Sequence, residues 1–453
     1  MFSLNFVQQT LEAKAIRIGG CGRKDFSGFA IDSRTVNSGE CFTGIKGDKF
    51  DGHDFIKEAV TKGVEIFMVD HARIDNVSAA VNKGVIIPVH DTIEALGKLA
   101  RAYRRQIFAN TVAITGSSGK TTTRELAVAV LSSRMNVHTA KKNLNNNIGL
   151  PLTMLEAKPD THLMVLEMGM NHKGEISGLS KICEPLIGVI TNIGYAHIGN
   201  LGSLDAIADA KSEIFDGIVD RGFILLNADD PYFSYLKARA NVPVMEFKTE
   251  DIRIVEDRGI DGFLLEYAGE TFEFALPGIH NISNLAAAFK IGEFFSIPPQ
   301  MRVEAIRGFR AVAGRSQIVD TPRGIIINDC YNANPSSMIA GLRVLGASSR
   351  GGRRIAVVSD MLELGRKSGY YHKMVGEFIV ENKCADLILG YGEFTKELIQ
   401  TAQKGGVNAQ WFASKEALTE SAVKEVRAGD VALVKASHGM GLDTIVQALT
   451  GGA

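Results

Sequence analysis

Residues 111–123 read TVAITGSSGKTTT, a run of β-branched and small apolar residues that breaks into a glycine-rich turn, a lysine and three hydroxyls. Few local patterns constrain a fold as tightly, because the chain must leave a buried strand, turn sharply and enter a helix at once. The turn of Gly116, Ser117, Ser118 and Gly119 lets backbone N–H groups face an anion. A helix expected over residues 121–135, with Leu126, Val130 and Leu131 on one side, aims its positive end at the same point. Lys120 adds a point charge for β- and γ-phosphates, and Thr121 a hydroxyl ligand for Mg²⁺. Ile114 stands where the full G-x-x-x-x-G-K-[ST] pattern has its first glycine, so the loop is a shortened one. The alternative, an ordinary strand-turn-helix corner with a surface lysine, leaves the glycines and the lysine without a purpose. The segment predicts a nucleoside triphosphate site.

Charge makes that site local. The 453 residues hold 50 basic and 51 acidic side chains, so no global field draws nucleic acid or an anionic membrane. Cys21, Cys41, Cys183, Cys330 and Cys384 are odd in number and scattered without C-x-x-C pairing, which argues against a disulfide framework or a zinc knuckle. The start of the chain carries no cationic leader, and no stretch approaches the ~18 apolar residues of a membrane span. These features predict a cytoplasmic protein, and a monomer is expected.

The fold class expected is α/β in three domains, with boundaries at 1–108, 109–313 and 314–453. The first mixes short strands with Gly/Asp turns and closes on a helical segment over residues 92–105. In the second, apolar runs at 163–166, 186–190 and 223–226 each end in a polar cluster, which suits parallel strands with ligands at their carboxyl ends. The third repeats the pattern at 325–329, 355–360, 386–390 and 431–435, a Rossmann-like series.

Polar clusters at those strand ends are the chemical candidates. Glu167 (in EMGMN) ends a strand expected beside the phosphate-loop strand, placed to share Mg²⁺ with Thr121. His197 (in TNIGYAH) reads equally as a packing histidine or a metal ligand, and a helix beyond it carries Asp205, Asp209 and Lys211. The asparagines of KNLNNNIGLP, Asn145 and Asn146 among them, form either a turn or a polar clamp on substrate. Asn281 and Asn284, three apart at a helix start, either cap the helix or pair with the edge of a base. Arg315 can reach a transferring phosphate, and Asp329 can take ribose hydroxyls.

In this order and over nearly the whole chain, these segments resemble the Mur ligases, the ATP-dependent amino-acid ligases of bacterial peptidoglycan synthesis. EMGMN at Glu167, NIGYAHIGNLGS at Asn192, NDCYNANPSSM at Asn328 and SDMLELG at Ser359 look like the branch that adds D-alanyl-D-alanine to UDP-N-acetylmuramoyl-tripeptide. The D-N-P-R motif of the preceding ligase is absent. A folylpolyglutamate synthase would share the phosphate loop but not D-S-R or N-D-C-Y-N-A-N-P. A non-catalytic nucleotide-binding regulator would lose the metal ligands.

The resemblance implies ATP and Mg²⁺ as cofactors and the UDP-linked tripeptide and dipeptide as partners. It assigns the ATP phosphates to Gly116, Ser117, Ser118, Gly119, Lys120, Thr121 and Thr122, the adenine to Asn281 and Asn284, the phosphates also to Arg315, and the ribose to Asp329. Thr121 and Glu167 would hold one Mg²⁺, and Glu167 with His197 a second. Lys211 matches a family lysine that forms a carbamate with CO₂. In the first domain, Ser33 and Arg34 of D-S-R, with Gly47 and Asp48, match the uridine-diphosphate region. The dipeptide is expected near Tyr331, Asn332 and Asn334. KASHGMGLD stands where the family often has K-G-S-R-G-M, which puts His438 in an arginine's place, and Ser117 and Ser118 replace a T-N pair.

Overall fold

A computed structural model describes residues 1–141 and 143–451; Lys142, which opens the asparagine-rich segment, lies outside the described residues. Three larger sheets, of five, six and six strands, follow one another along the chain. The first holds five strands in the order Ile16–Ile18, Gly84–Val89, Ile66–Asp70, Cys41–Thr43 and Phe29–Ala30, antiparallel only at Ile16–Ile18. A separate antiparallel pair, Phe2–Ser3 with Asp25–Phe26, stacks Phe2 on Phe26 and packs Phe2 against Tyr103.

The second sheet is six-stranded and wholly parallel, in the order Val244–Phe247, Phe223–Asn227, Ile187–Ile190, Asn110–Thr115, Leu163–Glu167 and Val137–Thr139. Its central strands are buried on both faces, which is why they read as continuous apolar runs rather than alternating ones. The chain order reverses at Asn110–Thr115, so the loops after this strand and its two neighbours open into one crevice.

An antiparallel sheet of Arg253–Asp257, Phe263–Tyr267 and Glu270–Phe274 interrupts the βα series, an element that the apolar-run reading misses. Phe263, Leu265, Phe272 and Phe274 are buried while the whole of Arg253–Asp257 is exposed. Alternation with charged residues hides such strands from a search for continuous apolar runs.

The third sheet runs Gln317–Thr321, Gly324–Asn328, Val431–Lys435, Arg354–Ser359, Leu387–Tyr391 and Asn408–Phe412, parallel apart from the first hairpin. Helix Thr92–Gln106, capped by Asp91, joins the first two sheets: its Tyr103 hydroxyl donates to Ala157 O at 2.7 Å. Arg101, Arg104 and Arg105 converge from it on Glu184, past the end of helix Glu175–Cys183. The five cysteines are free and buried, and among the described residues no helix is long and apolar enough to cross a membrane.

Candidate active site

The phosphate loop is braced before any ligand arrives. Gly116 takes φ +151°, and a Cβ there would stand 1.8 Å from Thr191 Oγ1, so only glycine fits. Gly119 takes φ +76° at the start of helix Lys120–Ser132. The neighbouring strand's exit grips the loop: Ser118 N donates to Asn192 Oδ1 at 3.0 Å, and Thr191 Oγ1 and Asn192 Nδ2 donate to Ser118 O at 2.6 and 3.0 Å. Lys120 Nζ folds back onto Gly116 O at 2.9 Å. Although only half-buried by surface, Lys120 is held below its ordinary pKa by desolvation, with Arg315 adding repulsion against the attraction of Glu167 and Glu363.

Glu167 ends strand Leu163–Glu167 with its carboxylate buried. Thr121 Oγ1 donates to Oε2 at 2.7 Å and Asn145 Nδ2 to Oε1 at 3.1 Å, while Arg124 lies 3.7 Å away. Burial pushes its pKa up, but the charges of Lys120 and Arg315 and the Thr121 bond outweigh it and hold Glu167 ionised. Asn146 Oδ1 accepts from Gly149 N at 2.8 Å, a turn rather than a free clamp.

Lys211, on helix Leu204–Ser212, is 1% exposed. Burial, with the charge of Lys120, drives its pKa well below the usual ammonium range, and no carboxylate among the described residues offsets it. His197 stands at φ +61° beyond strand Ile187–Ile190, its Nδ1 2.7 Å from Glu363 Oε2 of the third domain.

Asn281 and Asn284 lie under the loop. Asn281 Nδ2 donates to Pro277 O at 2.8 Å, Asn284 Nδ2 to Asn281 Oδ1 at 3.1 Å, and Thr123 Oγ1 to Asn284 Oδ1 at 3.2 Å. Gly119 packs so closely on Asn284 that a Cβ would come within 2.5 Å of its Oδ1.

The third domain supplies the opposite wall. Arg315 lies over the Tyr331 ring at 4.1 Å, and His438 stacks on the same ring at 5.6 Å. Asp329 accepts from Lys435 Nζ at 2.6 Å and from Ser316 N at 2.9 Å. Asn332 Oδ1 accepts from Ala333 N at 2.9 Å. Asn334 caps helix Pro335–Gly346 through Ser337 N at 2.9 Å, and its Nδ2 reaches across to Ser117 O at 3.3 Å. Between the walls lies a cavity of about 500 Å³ that gathers Ser117, Ser118, Gly119, Lys120, Thr122, Asn145, Asn146, Glu167, His197, Asn281, Asn284, Arg315, Asp329, Tyr331, Asn332 and Asn334.

Gly116, Thr121 and Lys211 stand behind this lining, and four expected substrate residues lie on the first domain away from it. There Ser33 Oγ donates to Glu58 at 2.8 Å, Arg34 pairs with Asp32 at 2.7 Å, Gly47 N donates to Phe50 O at 2.9 Å and Asp48 is exposed. Asn192, Lys435 and Glu363 also belong to this site, although nothing in the motifs that contain them singles them out. The available signal was position: each sits at or just beyond the carboxyl end of a parallel strand.

The chain matches the Mur ligase family, catalytic domain over residues 25–104, the Mur ligase middle domain over 114–292 and the Mur ligase, glutamate ligase domain over 314–438. It is 34% identical to the UDP-N-acetylmuramoyl-tripeptide--D-alanyl-D-alanine ligase of Bacillus subtilis (strain 168) over 430 residues, 93% of each chain. The protein of the same name from Escherichia coli (strain K12) is 32% identical, with 92% of each covered. Among solved structures, MurF from Acinetobacter baumannii superposes with a TM-score of 0.88 at 27% identity over 99% of each chain. MurF ligase from Thermotoga maritima in complex with ADP gives 0.81 at 25% identity, covering 94% of this chain and 97% of that one. A phosphate loop facing a second α/β domain across a polar cavity, and relatives aligned along almost the whole length, lead to one assignment: the chain belongs to the Mur ligase family.

Proposed function

We propose that this chain joins D-alanyl-D-alanine to UDP-N-acetylmuramoyl-tripeptide with consumption of ATP, giving the pentapeptide, ADP and phosphate in peptidoglycan precursor synthesis. The observation that carries the reading is a chain-length likeness to ligases of that name, with the phosphate loop and Glu167 at one cavity.

A carboxylate has no leaving group, so it must first be activated. Transfer of the γ-phosphoryl group of ATP to the tripeptide's terminal carboxylate makes an acyl phosphate. The dipeptide's neutral amine then attacks the carbonyl carbon; the C–N bond forms, the bond from that carbon to the phosphate's bridging oxygen breaks, phosphate departs with the electron pair, and the nitrogen gives up one proton to phosphate or solvent. No side-chain nucleophile is needed, so the protein contributes position and charge. The loop from Gly116 to Thr122 cradles the phosphates, Lys120 and Arg315 neutralise them, Asn281 and Asn284 stand toward the adenine and Asp329 toward the ribose.

The residues fit Mg²⁺ as well. Thr121 and the ionised Glu167 offer oxygen donors, and no cluster of three or more His, Cys, Asp or Glu forms among the described residues. That suits an ion held by one or two carboxylates together with substrate phosphates. When bound, Mg²⁺ supplies charge neutralisation at the phosphoryl oxygens. His197 lines the same cavity and completes the donor set we assign.

Lys211 is assigned as a carbamate. Buried unpaired beside a cationic site it is costly, since two unit charges ~4 Å apart repel by about 4 kcal/mol at an effective dielectric near 20. Its neutral amine adds to CO₂ and releases a proton, which reverses the sign of its charge.

The uridine end belongs to the first domain, near Ser33, Arg34, Gly47 and Asp48, and the dipeptide to the third, near Tyr331, Asn332 and Asn334. Dependence on ATP places the monomeric enzyme in the cytoplasm. The test is to incubate the protein with ATP, Mg²⁺ and the UDP-tripeptide in diaminopimelate and lysine forms, measuring phosphate release with and without D-alanyl-D-alanine and weighing the product. Dipeptide-dependent release with a pentapeptide product is expected; ATP turnover without ligation on either tripeptide would overturn the reading.

A further inference from the structure

The substrates bring many negative charges to the cavity and two ammonium groups, one on the side chain of the tripeptide's third residue and one on the dipeptide, of which the dipeptide's must stand at the activated carboxylate beside the phosphate loop. Four carboxylates line the cavity, and three hold hydrogen-bond partners from their own domain. Glu167 accepts from Thr121 and Asn145, Asp329 from Lys435 and Ser316 N, and Glu175 from Asn171 N at 2.7 Å.

Glu363 differs. Among the described residues its carboxylate is paired across the domain boundary, with His197 Nδ1 2.7 Å from Oε2, and about half of the side chain (51%) is open. That contact, with the charge of Lys120, holds the Glu363 carboxyl below the usual carboxylate range. A half-open carboxylate of the third domain, held on one side by His197, thus faces Lys120 across the cavity.

The segment that carries Glu363 is rigid. Asp360 accepts from Glu393 N, Phe394 N and Thr395 N at 2.9, 3.1 and 2.7 Å, Met361 N donates to His372 Nε2 at 3.0 Å, and Leu362 N donates to Ser437 Oγ at 2.8 Å. Glu363 itself sits at φ +65°, facing His197 at φ +61°, and its carbonyl accepts from Gly199 N of the central domain at 2.9 Å. Two bulky residues in the left-handed region are held there only because the surroundings over-determine them. The result is a preorganised anionic group delivered by one domain to the phosphate site of another.

We propose that Glu363 receives the ammonium of the incoming dipeptide, making it a specificity-determining residue of the ligation. This rests on the reaction proposed above. It assigns the third domain a defined task, which is to hold the ammonium beside the phosphate loop, where it gives up a proton to solvent and attacks as the neutral amine, while its neighbours hold phosphate and carboxylate.

The test uses the full-length enzyme with Glu363→Gln, and with Glu363→Gly, whose backbone accepts the left-handed conformation and so guards against misfolding. The KM for D-alanyl-D-alanine is expected to rise about ten- to hundredfold in both, as for loss of a hydrogen-bonded ion pair. The dissociation constant for ADP is expected to stay within about twofold, as for a site with no shared partner. Propionyl-D-alanine, which lacks the amine, serves as a competitive inhibitor: the wild type is expected to bind the dipeptide better than this analogue, and the variants are expected to lose that preference. A merely structural latch would weaken both ligands alike, which would overturn the proposal. An unchanged dipeptide KM, or a shift only in Mg²⁺ dependence, would overturn it also. If the wild type forms no pentapeptide, the reaction reading fails; a competent wild type with indifferent variants sinks this proposal alone.

Discussion

Lys120 concentrates the chemistry at the residue scale. With its ammonium folded onto Gly116 O, it is poised to swing to phosphate. Lys120→Ala is expected to lower kcat by at least about 10²–10³, while UDP-sugar affinity measured by calorimetry is expected to stay intact, because the site we propose for it lies on the first domain. Lys435 is a different case: it is 2% exposed and bonded to Asp329. Asp329→Ala leaves a buried charge unpaired and is expected to cost on the order of 3–5 kcal/mol, read from urea unfolding, whereas Asp329→Asn loses less because an amide oxygen still accepts. For Lys211, intact-mass analysis is expected to show an added CO₂ that disappears under CO₂ depletion. Lys211→Ala is expected to regain activity with a short-chain carboxylic acid, and a fully active, unmodified lysine would refute the carbamate.

At the scale of elements, the linking helix Thr92–Gln106 makes the most specific forecast. Glu184, at φ +45° beyond its own helix, is pushed up by burial, but bonds from Arg105 and Arg101 outweigh this and bring its pKa down to about 2. A carboxyl depressed in the folded state stabilises it above the unfolded value near 4.5, and that contribution is lost as pH falls through about 2. Glu184→Gln is therefore expected to lower the denaturation midpoint at pH 7 and to change it little near pH 2, with the gap between variant and wild type closing as the solution is acidified. The helix itself was legible: Asp91 caps it, Leu96, Leu99 and Ala100 mark one face, and the expected end at 105 lies one residue short. Its docking was not, because Arg101, Arg104 and Arg105 look like an ordinary solvated basic run until Glu184, some 80 residues away, is placed beside them.

On the scale of the whole molecule, the catalytic cavity exists only where the second and third domains meet. Helix Ile198–Leu201 carries Gly199, and a Cβ there would fall 2.5 Å from Gly365 N and 2.7 Å from Glu363 O, both main chain of the third domain. Gly199→Ala is expected to wedge the domains apart, lowering kcat for ligation while ADP affinity, measured by titration, changes little; an unchanged kcat would show that this contact does not set the catalytic geometry. The phosphate loop, Glu167 and the two Rossmann-like series were readable from the chain alone because each depends on contacts within one strand-turn-helix unit, where glycine conformation, helix polarity and apolar runs act over a few residues. The partners of Asn334, Glu363 and Lys435 depended on tertiary structure: a side chain's neighbours across a domain boundary follow from how whole sheets pack, and neither periodicity nor motif spacing encodes that distance. Sequence thus determined which groups can handle phosphate, and the packing of the domains decided which carboxylates are held within their own domain and which one, Glu363, faces the phosphate loop of another.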